Sequence, residues 1–250
     1  MNHLELFSGT HSFGKVSSKL GFNVYSLDRD LGAENEGYKS ENHFKEDIMT
    51  WDYKQFDRGF FKIITASPVC LWWSHLRKSW IGRKIKAHGD TIITADILNQ
   101  DIELYGVPMV DKVFEIIDYF NPDYYIIENP ATGRMKDYIN DLIPYYDVDY
   151  CMYGFDYRKT TRFWTNIEEF EKVTCNHKKH KKDVSISIGG GSNRLERYKI
   201  PEKVIEKLFK KCNHKKHNYA LGHSSNMGIL NKYKIPEKVI QKLFNNFIPF

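Results

Sequence analysis

The sequence predicts a doubly wound α/β fold, with a mostly parallel sheet and a small C-terminal extension of helix and loop. Short apolar strands alternate with amphipathic helices along the first part of the chain. The first strand, helix and second strand fit within about 30 residues, which is the length of a βαβ unit. The 250 residues, of which 41% are hydrophobic, are enough for one substantial core.

The predicted elements follow one another in the order that a parallel sheet requires. Residues 3–9 are predicted to form a strand that ends in a Ser-Gly turn. The helix predicted at 11–21 has its apolar residues at helical spacing and ends at a glycine. A long amphipathic helix and four more strands are predicted, the helix at 109–120 and the strands at 22–30, 43–47, 61–67 and 123–130.

The C-terminal part of the chain contains a tandem repeat. The motif CNHKKH recurs after 37 residues and YKIPEKVI after 35, which defines units at 175–211 and 212–246. Each unit is predicted to be a loop followed by a helix that starts near its proline. Two copies are too few for a solenoid. We therefore predict a main domain at 1–166 and an extension at 167–250, in which one copy completes the fold.

Composition is typical of a soluble intracellular protein. No run of residues approaches the roughly 20 apolar positions that a membrane span needs. The first residues lack the basic and apolar regions of a secretory signal. Four cysteines without such a signal indicate a reducing compartment rather than a disulfide framework. We expect a protein of the cytoplasm or nucleus that has no membrane partner.

The net charge of +5 is concentrated in three basic stretches, at 75–88, 175–182 and 210–217. Clustered lysine and arginine side chains suit a polyanion such as nucleic acid. A solvated lysine-rich surface explains the same pattern, so charge alone leaves both interpretations open.

Polar and acidic residues collect at the predicted carboxyl ends of the strands, where open α/β sheets bind ligands. Asp28 lies 19 residues after Gly9, close to the spacing at which a carboxylate binds ribose hydroxyls. The first turn, GTHSFG, lacks the second glycine that close approach to a pyrophosphate needs. A nucleoside without phosphates, such as S-adenosylmethionine, fits this turn better, and an ordinary strand–helix turn is the alternative.

Six segments, taken in order, resemble the successive motifs of DNA cytosine-5 methyltransferases, most closely the compact type of bacteriophages and large viruses. They are ELFSGTHSFGKV, SLDRD, EDIMTWDY, ITASPVCLWWS, YYIIENPATG and YGFDYRKTTRFWTN. The resemblance covers residues 3–166, and RYKIPEKVI is more weakly similar to a motif near the family's C-terminus. It implies a Rossmann-like catalytic domain at 1–166.

The resemblance implies methyl transfer from S-adenosylmethionine to C5 of cytosine in DNA. Cys70 takes the position of the nucleophile that adds to C6, because the addition makes C5 reactive toward a methyl sulfonium. Glu128 takes the position of the acid at N3, where a raised pKa is useful. Arg158 and Arg162 take the positions that orient the base. In double-stranded DNA the base has to be flipped out of the stack first.

The same resemblance assigns binding residues to the strand ends and loops. The expected cofactor-binding residues are Phe7, Ser8, Gly9, Thr10, Asp28, Asp47, Ile48 and Pro68. The basic stretch at 75–88 follows Cys70 as a covering loop would, and we expect contacts with DNA from Arg77, Lys78, Arg83, Lys84 and Lys159.

Three residues depart from the family pattern. His11 replaces a glycine of the first turn, Val69 replaces the proline before the nucleophile, and Leu71 replaces a residue that is usually polar. Two alternatives therefore stay open. One is an inactive nucleic-acid-binding protein in which Cys70 is a buried inert thiol, and the other is a methyltransferase acting on cytosine in RNA or a free nucleotide.

The repeated Cys-x-His-x-x-His pattern is a candidate zinc site. The candidate ligands are Cys175, His177, His180, Cys212, His214 and His217. A fourth ligand for one copy would come from His223 or from the other copy. The alternative is a solvated loop of histidine and lysine that faces DNA phosphates.

Overall fold

Seven strands form one sheet in the computed structural model of the chain, which describes residues 1–30, 42–139, 143–168, 170, 173–180 and 198–213. In chain order they are β1 (Asn2–Leu6), β2 (Asn23–Leu27), β3 (Asn42–Phe44), β4 (Ile63–Ala66), β5 (Tyr124–Pro130), β6 (Tyr145–Asp149) and β7 (Thr160–Thr165). Across the sheet the order is β3-β2-β1-β4-β5-β7-β6. Only the pairings of β7, with β5 and β6, are antiparallel among those described. The predicted α/β class and mostly parallel sheet are confirmed.

Five α-helices are present in the described part of the chain. They are α1 (Ser12–Lys19), α2 (Ala95–Asp101), α3 (Val107–Phe120), α4 (Met135–Ile139) and α5 (Glu202–Asn213). A π-helical turn at Ile102–Gly106 joins α2 to α3, so α3 begins two residues before the predicted position, with Pro108 in its first turn. None of these helices combines the length and the apolar character that crossing a membrane requires.

The core lies on both faces of the sheet. Successive residues of β4 and β5 belong to opposite clusters: Ile64 packs on the side of α3, and Ile63 packs on the side of α1 and α5. This double burial explains the consecutive apolar residues at Ile63 and Ile64 of β4 and at 124–127 of β5.

Helix α5 belongs to the first repeat unit and closes the layer that α1 begins. The Phe209 ring lies 5.3 Å from the ring of His3, and Lys19 pairs with Glu202 at 3.1 Å. The backbone N–H of Ile200 donates a hydrogen bond to Ser12 Oγ. The α5 segment therefore shares its core with residues 1–166. The helix predicted for the second unit lies outside the described residues.

A fully buried histidine gives the fold a predictable pH dependence. His3 contacts Ser17 Oγ at 2.8 Å and Thr65 Oγ1 at 2.9 Å, and burial lowers its pKa to about 3. The unfolded chain binds this proton below a pH of about 6.5, whereas the folded protein does not. The free energy of unfolding should therefore fall as the pH decreases from about 6.5 to about 3, by up to about 1.4 kcal/mol per pH unit from this group.

Chemical denaturation at several pH values measures this effect, with His3→Gln as the comparison. The variant should show a shallower decline in unfolding free energy between those limits. Equal slopes for the two proteins would show that His3 does not carry the effect.

Candidate active site

The turn after β1 is held to the end of β2. Phe7, Gly9 and His11 have φ values of 54°, 46° and 51°, so the turn passes three times through the left-handed region. The N–H of Gly9 donates a hydrogen bond of 2.8 Å to Asp28 Oδ2. The turn and the carboxylate that was expected to bind ribose hydroxyls therefore lie side by side.

His11 occupies its glycine-like position without projecting into solvent. It is the left-handed residue that precedes α1 and is 2% exposed. Its Nδ1 lies 3.4 Å from Glu5 Oε2, and its ring meets His43 edge-on at 5.4 Å. The other oxygen of Glu5 accepts the N–H of Phe13 in the first turn of α1. The departure from the family pattern is thus accommodated by burial of the imidazole beside Glu5.

Polar atoms at this turn suit the ribose and amino groups of a nucleoside. Burial raises the pKa of the Asp28 carboxyl, and hydrogen bonds from the N–H groups of Gly9 and Asp30 oppose that rise. Ser8 Oγ is buried, and it has no hydrogen-bond partner among the described residues. A buried hydroxyl without a hydrogen bond destabilises the folded protein unless a ligand or a water molecule supplies the missing partner. These residues therefore fit S-adenosylmethionine.

The other expected cofactor residues lie around the same strand ends. Thr10 is buried and its hydroxyl contacts Ser12 Oγ at 3.0 Å. Asp47 Oδ1 accepts the N–H of Met49, and Ile48 is buried in the core that Trp51 also joins.

The loop after β4 and the end of β5 form the second half of the site. Ala66 of β4 lies opposite Ile127 of β5, so both chains leave the sheet side by side. The Asn129 side-chain N–H donates a hydrogen bond of 2.8 Å to the Pro68 carbonyl. This bond ties the loop that carries the partly buried Cys70 to the residue that follows Glu128.

Glu128 is an acid in an apolar setting. It is 8% exposed, and its Oε1 has no hydrogen-bond partner within the part of the chain that the structure describes. Burial raises the pKa of the Glu128 carboxyl, and the charge of Lys159 and a hydrogen bond with Ser67 act in the opposite direction. A carboxyl group in this environment holds its proton more strongly than an exposed one and can donate a hydrogen bond.

Arg158 and Arg162, which were expected to orient the base, are each paired with an aspartate. Arg162 binds Asp147 with two hydrogen bonds of 2.6 and 2.7 Å, and its guanidinium lies over the Tyr145 ring. Arg158 is half exposed and binds Asp149. The positive charge that acts on Glu128 is that of Lys159, which was expected to contact nucleic acid.

Strand alternation explains the position of Arg162. Arg162 lies opposite Asn129, whereas Glu128 lies opposite Phe163, so Arg162 and Glu128 are on different faces of the sheet. The expectation that Arg162 orients the base at Glu128 is therefore not supported by the register, which instead pairs it with Asp147 of β6.

The basic loop contains one buried arginine, which corrects the prediction for Arg77. Arg77 is 3% exposed, forms a hydrogen-bonded ion pair with Asp101, and stacks on Trp72 and Trp80. An arginine that is already neutralised and stacked in the interior does not reach DNA phosphates. The other three predicted contacts of this loop are exposed, namely Lys78, Arg83 and Lys84.

The structure also corrects the zinc ligands. Cys212 is buried in the last turn of α5, where its Sγ donates to the Leu208 carbonyl, and the cluster described next does not include it. His214 and His217, like His223, lie outside the described residues. Cys175, His177 and His180 do come together, and Cys151 joins them. Sequence reasoning missed Cys151 because it lies 24 residues before Cys175 and outside the repeated Cys-x-His-x-x-His pattern.

Comparison with known proteins gives one clear relative. No family model matches the chain. The chain is 35% identical over 232 residues to the protein of Frog virus 3 (isolate Goorha) named "Probable DNA (cytosine-5)-methyltransferase". The match covers 85% of this chain and all of that relative.

Solved structures with a similar fold are more distant. A DNMT2 variant from Spodoptera frugiperda is 14% identical with a TM-score of 0.42, over 72% of this chain. The Entamoeba histolytica methyltransferase EhMeth is 15% identical with a TM-score of 0.45, over 77% of this chain. The chain spans 56% and 61% of the lengths of these two proteins.

Proposed function

Because the chain belongs to the DNA (cytosine-5)-methyltransferase family, we propose that it methylates C5 of cytosine in DNA through a covalent bond between Cys70 and C6. The observation that carries this proposal is the hydrogen bond from Asn129 to the Pro68 carbonyl. It ties the Cys70 loop to the end of β5, the strand that carries the buried acid Glu128, and so supports a nucleophile and an acid at the same end of the sheet.

The proposed reaction begins with addition of the Cys70 thiolate to C6. A bond forms between Sγ and C6, and the electrons of the C5–C6 double bond become available at C5. Glu128 donates its proton at N3, which neutralises the negative charge that the addition places on the ring. S-adenosylmethionine supplies an electrophilic methyl group on a sulfonium. C5 takes the methyl group as the methyl–sulfur bond breaks and leaves a neutral thioether. C5 then loses its proton to a base, the Sγ–C6 bond breaks, and the N3 proton returns to Glu128.

The loop that carries Cys70 is partly open to solvent. Cys70 itself is partly buried, and the neighbouring Val69 and Leu71 are exposed. The tryptophans that follow serve packing: Trp73 is 2% exposed, and Trp72 stacks on Tyr105 at 4.7 Å. Their packing supports a flipped base that is held by the Cys70 loop and not by an indole ring.

DNA would bind across the basic loop that follows Cys70. The exposed cations Lys78, Arg83 and Lys84 are available for phosphates, and phosphate contacts position a protein without reading sequence. Binding of this kind weakens steeply with salt.

S-adenosylmethionine would bind at the turn after β1, with Asp28 accepting hydrogen bonds from the ribose hydroxyls and Ser8 Oγ completing the polar contacts. Asp28→Asn should weaken cofactor binding about 10- to 100-fold, because a charged hydrogen-bond acceptor is lost. Calorimetric titration of S-adenosylmethionine measures this. Asp30→Asn is the matched control, since that side chain is 85% exposed and only its backbone N–H contacts Asp28. Equal affinities for the two variants would place the ribose elsewhere.

The reaction itself is tested with labelled S-adenosylmethionine and three substrates of one sequence: duplex DNA, single-stranded DNA and RNA. Digestion to nucleosides identifies the product. We expect label in 5-methyldeoxycytidine from the duplex. Label in RNA alone would support the RNA alternative, and cofactor or DNA binding without any transfer would support an inactive binding protein.

A further inference from the structure

We propose that Cys151, Cys175, His177 and His180 bind one zinc ion that joins the loop between β6 and β7 to the segment that follows β7. Each residue offers one ligand atom, and the four atoms lie within 4.8 Å of one another. Two thiolates and two imidazoles are a common ligand set for zinc in structural sites.

The spacing of the ligand atoms matches a tetrahedral ion. Zn–S bonds of about 2.3 Å and Zn–N bonds of about 2.0–2.1 Å separate sulfur and nitrogen ligands by about 3.6 Å. Cys175 Sγ lies 3.6 Å from His177 Nδ1 and 3.2 Å from His180 Nε2. An ion at the centre of the four atoms would need only small side-chain adjustments. Four protein ligands leave no open position, so the site would be structural and not catalytic.

Binding to the ion would cross-link two parts of the chain. Cys151 lies in the turn at Tyr150–Tyr153 that follows β6, whereas the other three ligands follow β7. The Cys151 and Cys175 thiols would each lose a proton to solvent as the two Zn–S bonds form, and the two imidazoles would bind in their neutral form. His177 is exposed, which gives the ion an entry path.

Surrounding hydrogen bonds connect this site with the hairpin. The backbone N–H of Cys175 donates to Asp149 Oδ2 at 2.9 Å, and Asp149 also accepts hydrogen bonds from Arg158 and Thr160. The N–H of Tyr150, next to Cys151, donates to the Lys159 carbonyl at 3.1 Å. The ion would therefore fix the base of the loop that carries Arg158 and Lys159.

Cys151 distinguishes the proposed four-residue site from a zinc site that the repeat would form alone. Cys151 belongs to neither repeat unit, whereas His217 belongs to the second copy of CNHKKH. Replacing Cys151 by serine should remove zinc if the four-residue cluster is the site. Replacing His217 by asparagine should leave the zinc in place.

The experiment measures zinc per chain by elemental analysis in the purified full-length protein and in the variants Cys151→Ser and His217→Asn. We expect about one zinc ion per chain in the wild type and in His217→Asn, and a loss of at least about tenfold in Cys151→Ser. Wild-type protein that neither contains zinc nor takes it up after refolding with zinc would overturn the proposal. Zinc retained in Cys151→Ser would also overturn it.

A second measurement does not depend on the folding of a variant. Wild-type protein refolded with cobalt(II) should show the visible absorption of a tetrahedral ion and a charge-transfer band with the intensity of two thiolates. A spectrum with one thiolate or none, or an octahedral spectrum, would contradict the ligand set.

Discussion

Cys70→Ser should lower methyl transfer by about 1,000-fold or more, in line with removal of an enzyme's nucleophile. Serine keeps nearly the same volume on the loop after β4, but its hydroxyl ionises far less readily than a thiol and is a poor nucleophile toward C6. The measurement is single-turnover transfer of labelled methyl groups to duplex DNA.

The control for this variant is its affinity for S-adenosylmethionine. The proposed cofactor turn begins at Phe7 at the end of β1, so the affinity should stay within about twofold of the wild type. Transfer that survives the substitution at more than a tenth of the normal rate would mean that Cys70 does not form the covalent bond.

Glu128→Gln should lower transfer by about 100- to 10,000-fold, the range for loss of a general acid. Glutamine preserves the shape and the buried position but has no acidic proton to donate at N3. Burial raises the pKa of the Glu128 carboxyl, so the protonated acid persists to a higher pH than in an exposed glutamate. Wild-type transfer should therefore decline as the pH rises through that pKa, and the variant should lack this limb of its pH profile.

Protein stability gives an independent check on Glu128. An acid whose folded pKa is raised favours the folded state below its unfolded pKa, and this contribution is lost as the pH rises through the folded value. As the pH rises through this folded pKa, the free energy of unfolding of Glu128→Gln should therefore fall less than that of the wild type. Glu103→Gln, an exposed substitution of the same type, should follow the wild type in both rate and stability. A full rate in Glu128→Gln would remove this residue from the reaction.

Much of the fold could be predicted from local pattern because its central strands contain consecutive apolar residues. Strands β4 and β5, buried on both faces, carry runs such as YYII that exclude other interpretations. Strands β6 and β7 were not assigned, because YYDVD and TTRFWT mix charges with aromatic residues. Asp147 of β6 is paired across the hairpin with Arg162 of β7, and no local pattern shows that pairing.

Site residues at the ends of strands could be predicted from the sequence. Residues whose contacts depend on a partner far away in the chain could not. Cys70, Glu128 and Asp28 are placed by the ends of β4, β5 and β2. The burial of Arg77 depends on Asp101, which lies 24 residues away on α2, and a basic stretch gives no sign of such a partner.

The two copies of the repeat also show that the local sequence alone does not determine the structure. The first copy of CNHKKH folds as a non-helical turn beside Cys151, whereas the Cys212-Asn213 pair that starts the second copy ends α5. The same Cys-Asn pair therefore adopts a different structure in each copy, because the first copy follows a hairpin and the second follows an amphipathic helix that packs on α1. The potential of the first copy to bind a metal depends on that context.

The covalent bond that we propose between Cys70 and cytosine C6 can be trapped and identified. Duplex DNA in which every cytosine is replaced by 5-fluorocytosine cannot lose a proton from C5 after methylation, so the Sγ–C6 bond cannot be released. With S-adenosylmethionine present, we predict a complex that survives denaturation and whose DNA-linked peptide, identified by mass spectrometry, contains Cys70. Methylation of ordinary DNA without any trapped complex, or a complex linked through another residue, would show that Cys70 does not form the covalent bond with C6.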